Sequence, residues 1–296
     1  MTIDALTGAS LAPSGSGYSE LTLGGEAGPE SLALRAVRRI GKTLLAALLT
    51  IGVTLAVWQG FISVFHLNPY FAKGPSAVFD YLFTGPEAGA SRHLVFSNLG
   101  VTLFDAFLGY VAGTLAAIGV SLAIVLSRSV EQTVMPVAIA LRAVPIVAMT
   151  PVLVLIFGRG LLAVTIIAGV VSFFPTLVNL VFGLRSAPNH AFDLMRAYGA
   201  SDAAILRKIQ FPYGLTALFA SAKIAVPGAI IGATLAEWLA TGNGLGNLML
   251  VSSSDSEWST LWASVAIITI TSVLIYNLVT LIERPVVERF RGVAVT

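Results

Sequence analysis

The chain has 296 residues, of which 56% are hydrophobic and only 11% charged, whereas a soluble domain carries about 25% charged residues. That balance excludes an ordinary water-soluble fold and sets the chain in the membrane class. A formal net charge of +2 leaves no nucleic-acid footprint, and the absence of cysteine excludes disulfides, iron–sulfur clusters and thiolate zinc sites.

Residues 1–34 are rich in Gly, Ser and Pro and carry Asp4, Glu20, Glu26 and Glu30 with no Lys or Arg. This composition predicts a disordered cytosolic tail without the basic start of a secretory signal. From 35 to 292 the chain reads as one transmembrane domain. A helix needs about 20 apolar residues to cross the ~30 Å hydrocarbon layer. Six segments qualify: Thr43 to Leu67, Leu99 to Leu126, Thr133 to Phe157, Leu161 to Leu184, Tyr213 to Leu239 and Leu261 to Ile282. Pro145, Pro151, Pro175 and Pro227 lie within them and predict kinks whose freed carbonyls face protein or water. Gly109 with Gly113, and Gly228 with Gly232, have the spacing that lets helices approach closely, read here as packing within the chain.

Lys and Arg accumulate on the cytoplasmic side of membrane proteins. Arg35, Arg38, Arg39 and Lys42 precede the first segment, and Arg128 follows the second. Arg185, Arg196, Arg207 and Lys208 lie between the fourth and fifth, and Arg284, Arg289 and Arg291 follow the sixth. The alternate loops hold only Lys73, Arg92 and Arg159. Both termini are therefore expected inside, in an all-α transmembrane bundle of about six helices.

The stretch from Phe192 to Pro212 (FDLMRAYGASDAAILRKIQFP) is too polar to cross and too structured to be a plain loop. A helix starting at Asn189 or His190 would run to Tyr198, with Gly199 in a left-handed position at its end. Ser201 is a candidate N-cap with Asp202 at the favourable end of the next dipole, and Ala203 to Ile209 continue as helix before Pro212 opens the following segment. Alone, this pattern equally fits an amphipathic hairpin that only connects two crossings.

The spacing adds more. Asp193-Leu194-Met195, three residues, Gly199, nine residues, Ile209, one residue, Phe211-Pro212 resembles the EAA loop of binding-protein-dependent ABC importer permeases. Gly199, Ile209 and Pro212 match that motif, Asp193 stands for its Glu, and Leu194 and Met195 replace its alanines. The blocks GPSAVFDYL (74–82), RAVPIVAMTPVLVLIFGRG (142–160), FFPTLVNLVFGL (173–184) and EWLATGNGLGNLM (237–249) are similar to the permeases of aliphatic sulfonate, taurine, nitrate and bicarbonate importers, with pyrimidine-precursor importers nearby. The resemblance implies an importer permease subunit in a prokaryotic cytoplasmic (inner) membrane. Its partners would be two ATP-binding subunits, a second copy of the chain and an external substrate-binding protein. It also implies that region 189–212 is the coupling helix, with Asp193, Arg196, Gly199, Ala200, Ser201, Arg207, Ile209 and Pro212 meeting the ATPase. ATP and Mg would be bound by that partner, leaving this chain without cofactor or catalytic residue. In agreement, Gly41-Lys42-Thr43 lacks the first glycine of a phosphate-binding loop, since position 36 is Ala.

Ionisable groups at membrane depth are expensive and usually face the bundle interior. Arg142, Pro145, Phe174 and Glu237 are the candidate pathway residues. Arg142 carries two readings: a guanidinium facing an anionic cargo such as a sulfonate, or a structural ion pair with Asp105 or Glu237. Lys223 is expected to reach toward the cytoplasmic interface. Trp258 and Trp262 predict a short outer helix at the interface, which in the resembled family is the gate and receives the binding protein. His66, His93 and His190 show no ligand spacing, so no metal site is expected. The alternative from another class is a self-sufficient ion-coupled secondary transporter or channel, whose buried charges would be ion sites.

Overall fold

The computed structural model describes residues 49–291, and every regular element among them is helical. The tail of residues 1–34 and the basic cluster at 35–42 lie outside the described residues. The chain divides into two compact units, Met1–Val57 and Trp58–Thr296. Of the first, residues 49–57 are described and form the start of helix α1, Leu49–Val64.

In the second unit, α2 (Pro75–Phe79) runs into a π-helical turn, Asp80–Thr84, and then come α3 (Ala88–Leu126), α4 (Arg128–Arg142), α5 (Ile146–Phe157) and α6 (Leu161–Arg185). Next come α7 (Asn189–Ala197) and α8 (Asp202–Ile205), which a second π-helical turn, Leu206–Gln210, joins to α9 (Phe211–Ala240). The chain closes with α10 (Gly244–Ser254) and α11 (Trp258–Arg291). Ala88–Leu126, Leu161–Arg185, Asp202–Ala240 and Trp258–Glu283 are each long and apolar enough to cross a bilayer, and α4 with α5 qualifies as a bent pair. With the shorter apolar α1, the expected all-α transmembrane bundle of about six segments is present.

Two segments differ from the sequence reading. The second begins at Ala88 rather than Leu99. Ser91, Arg92, Ser97 and Asn98 mask its start in the hydropathy pattern, yet the helix absorbs them: Asn98 Nδ2 donates to the Leu94 carbonyl at 2.9 Å and Arg92 Nη1 to the Leu82 carbonyl at 3.2 Å. At 39 residues α3 is about 58 Å long at 1.5 Å per residue, twice the hydrocarbon thickness. The third segment, expected as one kinked helix, is two helices bent by 107°. Pro145 has no N–H to donate and disfavours helical backbone at Val144, so α4 ends and Pro145 (φ −61°, ψ 120°) serves as the extended N-cap of α5.

The core is built on small side chains. Ala106, Gly109, Gly113, Ala117 and Ser121 form one buried stripe along α3, and Ala222, Ala225, Ala229, Gly232, Ala233 and Ala236 another along α9. Both stripes face α6, whose Ala168 and Gly169 are the meeting point. A Cβ on Gly113 would stand 2.9 Å from Gly169 Cα, and one on Gly232 would stand 2.8 Å from Ala168 Cα. In lipid there is no hydrophobic force between apolar helices, so close backbone approach and interhelical hydrogen bonds supply the association. Ser121 Oγ donates to the Leu177 carbonyl and Ser172 Oγ lies within reach of the Ala225 carbonyl, both at 3.4 Å. The two glycine pairs thus pack within the chain, as expected. On the periphery, α11 buries Ala263 and Ser264 against the bundle, while Ile270, Val273, Leu274, Leu278 and Leu281 farther along it are exposed.

This packing predicts opposite outcomes for two glycines of one helix. Gly113→Ala drives a methyl into the α6 backbone and is expected to cost about 1–3 kcal/mol through overpacking. Gly119, with nothing within 4 Å of its Cβ position, should accept Ala with unchanged or raised stability. Thermal unfolding of both variants in the same detergent checks the contrast.

Candidate functional site

The helix–turn–helix between α6 and α9 is set by local chemistry. Pro188 (φ −61°, ψ 139°) starts α7, and the helix ends in a Schellman motif. Gly199 N–H donates to the Arg196 carbonyl at 2.9 Å and Ala200 N–H to the Met195 carbonyl at 3.0 Å. That geometry requires Gly199 at φ +70°, where a Cβ is penalised. Ser201 then caps α8, its Oγ accepting from Ala204 N–H at 3.3 Å. Ile205, 4% exposed, anchors the second arm.

The second arm differs from the expected separate helix from Ala203 to Ile209. Only Asp202–Ile205 is α-helical, and a π turn carries it without a break into α9. Pro212 explains the extra residue: it cannot donate, and at Phe211 the ladder has shifted to an i−5 bond with the Leu206 carbonyl. The outcome is one rod, Asp202–Ala240, reaching from the hairpin through the bundle.

Of the residues expected to meet a partner, Asp193, Arg196, Gly199, Ser201 and Arg207 are exposed, while Ala200, Ile209 and Pro212 are half-buried. Leu194 and Tyr198 are 58% and 82% exposed on α7. They are two large apolar side chains left uncovered on a helix that also carries the exposed Asp193 and Arg196. Beside it, the Arg185 guanidinium grips both carboxylate oxygens of Glu131, at 2.5 and 2.9 Å. This bidentate pair ties the first turn of α4 to the end of α6, so the α3–α4 junction and the hairpin share one end of the bundle, as the charge distribution predicts.

The opposite end holds α10 and the tryptophans. Trp262 stacks on Trp58 at 5.6 Å and donates its Nε1–H to the Phe71 carbonyl at 2.7 Å. Tyr81 and Thr260 share a hydrogen bond of 2.8 Å. Under α10 lies Glu237, fully buried: Thr102 Oγ1 donates to its Oε2 at 2.8 Å and Gly246 N–H at 2.9 Å.

The four candidate pathway residues lie on different elements. Arg142 and Pro145 are exposed at the 107° bend, and Phe174 packs edge-on against Phe173 at 5.2 Å beside α3 and α4. Glu237 sits at the far end of α9. Neither ion pair considered for Arg142 forms. The pairs among the described residues are Arg185–Glu131 and Lys223–Glu283, the second joining α9 to α11 just past the end of the sixth apolar segment. The missed signal was Glu283, which belongs to α11 because that helix continues past the apolar stretch to Arg291. No group of three His, Asp or Glu capable of holding a metal occurs among the described residues.

The family of binding-protein-dependent transport system inner membrane components matches residues 95–292. A probable ABC transporter permease protein of Haemophilus influenzae (strain ATCC 51907 / DSM 11121 / KW20 / Rd) is 30% identical over 233 residues, covering 79% of this chain and 93% of that one. The riboflavin transport system permease protein RibX of Chloroflexus aurantiacus is 26% identical over 86% of this chain and 94% of its own length. The taurine transport system permease protein TauC of Escherichia coli (strain K12) is 25% identical over 76% and 82%. Among solved structures, a chain of the MetNI methionine ABC transporter in an inward facing conformation superposes with a TM-score of 0.55 at 20% identity, over 69% of this chain and 99% of that one. The fold is that of an ABC importer permease. The chain belongs to the family of binding-protein-dependent transport system inner membrane components, and is a multi-pass, non-enzymatic membrane subunit of an ABC importer.

The half-buried Lys223–Glu283 pair gives a test of the bundle's electrostatics. Lys223→Met alone leaves Glu283 partly buried without its cation and is expected to lower stability by about 3 kcal/mol. The double variant Lys223→Met with Glu283→Gln should recover most of that loss, which a double-mutant cycle of unfolding temperatures measures.

Proposed function

We propose that the α7–α8 hairpin is the coupling element of this subunit. In this reading two copies of the chain form the translocation pathway in a prokaryotic cytoplasmic membrane. Each presents its hairpin to a separate ATP-binding subunit, and an external binding protein delivers the cargo. The observation that carries the reading is the hairpin itself, which leaves Leu194 and Tyr198 uncovered, is hinged at Gly199 and is continuous with α9. A rigid lever transmits displacement, whereas a floppy loop absorbs it. Closure of two ATP-loaded partners would draw the hairpins together, and each rod would carry that motion along α9 to the outer end of the bundle. The partner binds ATP and Mg; the residues of this chain supply contact, leverage and the lining of the path.

The proposed cargo is a small anion such as a sulfonate, taurine, nitrate or bicarbonate. The exposed Arg142 guanidinium at the bend supports this, as does the taurine permease among the relatives. A planar fork of donors fits a sulfonate or carboxylate well.

Gly199→Val places a β-branched residue at φ +70° and should weaken capture of the ATPase in mild detergent and cut uptake about tenfold or more. Gly199→Asn, which tolerates that region, should retain both. Unchanged capture and uptake in the valine variant would remove the coupling assignment. For the cargo, Arg142→Gln should depress uptake of labelled taurine while ATPase capture stays intact. Transport of riboflavin with no uptake of any small anion would contradict the anion reading.

A further inference from the structure

Helix α10 is attached to the bundle in an unusual way. Its N-cap residue, Asn243, makes no side-chain capping bond. The first-turn amides, which have no partner within a helix, are satisfied from two other helices. Leu245 N–H donates to Thr102 Oγ1 of α3 at 2.8 Å, and Gly246 N–H donates to Glu237 Oε2 of α9 at 2.9 Å. The Thr102 hydroxyl has a single proton and two acceptors in reach: Glu237 Oε2 at 2.8 Å and the Asn98 carbonyl at 3.2 Å. The shorter bond to a carboxyl group is the stronger one, so Thr102 relays between the α10 amide and Glu237.

The glycines of this turn are shaped around that contact. A Cβ on Gly244 (φ +86°) would collide with the Glu237 carboxyl group, and one on Gly246 would stand 2.9 Å from Glu237 Cβ. Residues at positive φ flank α10 on both sides. Gly242 (φ +59°) and Gly244 precede the body of the helix, and Ser256 (φ 62°) follows it. A serine held at positive φ is a strained backbone position. Two buried polar atoms also find no protein partner when α10 is in place: Glu237 Oε1 and Ser252 Oγ. Buried atoms of that kind are costly, whereas Leu245, Leu248 and Met249 pack α10 against Val95, Leu99 and Ala263 alongside the two bonds.

We propose that Thr102 and Glu237 form a latch that caps α10 in trans and holds it closed over the outer end of the bundle, and that breaking these two bonds releases α10 during transport. This rests on the permease reading and assigns the outer gate to named side chains. Both are positioning residues: they act on α10 and have no assigned contact with cargo.

The chain lacks cysteine, so Ser252→Cys installs a single thiol on α10 at a position 1% exposed. The rate at which a water-soluble maleimide labels that thiol, in membranes carrying the full chain, reports how often α10 lifts. Adding Thr102→Val or Glu237→Ala is expected to raise the rate about tenfold, the factor set by one buried hydrogen bond of ordinary net strength. Glu237→Gln keeps an acceptor for both donors and should label within about twofold of the parent, the rescue that separates a latch from a general loss of packing. Equal labelling in the valine, alanine and glutamine variants would overturn the proposal. Should the alanine variant fail to accumulate, the valine and glutamine variants decide alone. The assay needs neither cargo nor ATPase. A negative result therefore leaves the permease reading standing, whereas failure of the parent chain to capture an ATPase undoes that reading whatever the labelling shows.

Discussion

Everything in this bundle is built around the close approach of two helices to the backbone of Ala168 and Gly169 on α6. Gly109 and Gly113 of α3 arrive from one side and Gly232 of α9 from the other, while Gly228 of α9 packs on the Val171 side chain one turn along α6. In hydrocarbon, apolar bulk cannot drive helices together, because lipid tails solvate leucine as well as another helix does. Contact therefore depends on how near the backbones can come. Small residues on α3, α6 and α9 provide that nearness, while the large ones (Phe104, Leu115, Phe182, Ile224 and Ile231 among them) are left facing outward.

The seat gives the two ends of the molecule different mechanics. At one end the α7–α8 hairpin is stiffened by a Schellman turn and an N-cap, and its second arm continues through a π turn into α9. At the other end α9 delivers Glu237 beneath α10, and α3 delivers Thr102 to the same spot. One rod, Asp202–Ala240, thus joins the exposed hairpin to the end of the bundle where α10 is capped in trans. At the hairpin's own end, the Arg185–Glu131 clamp ties the last turn of α6 to the first turn of α4.

Much of this was legible in the sequence, for definite physical reasons. Uncharged apolar runs of membrane length gave the fourth and sixth crossings, and the glycine spacings gave the packing within the chain. Gly199 and Ser201 gave the hinge, because only certain residues suit a left-handed position and an N-cap. Other features depend on contacts between distant residues. The early start of α3 was hidden by polar residues that bond to their own helix or to the Leu82 carbonyl. The 107° break needed the combined effect of Pro145 and its predecessor, which sequence showed only as a kink. Glu283 lies 60 positions from Lys223 and Thr102 lies 135 positions from Glu237, beyond the reach of any local pattern.

The central claim is that the hairpin is a lever gripped by a nucleotide-hydrolysing partner. A photo-crosslinking amino acid at position 198, replacing the 82%-exposed Tyr198, tests it in intact cells. The same probe replacing Leu155, which is 86% exposed on α5 and outside the hairpin, serves as the control. The account predicts that position 198 crosslinks to an ATP-binding polypeptide and position 155 does not. Adducts at position 198 with lipid or with this chain alone would contradict it.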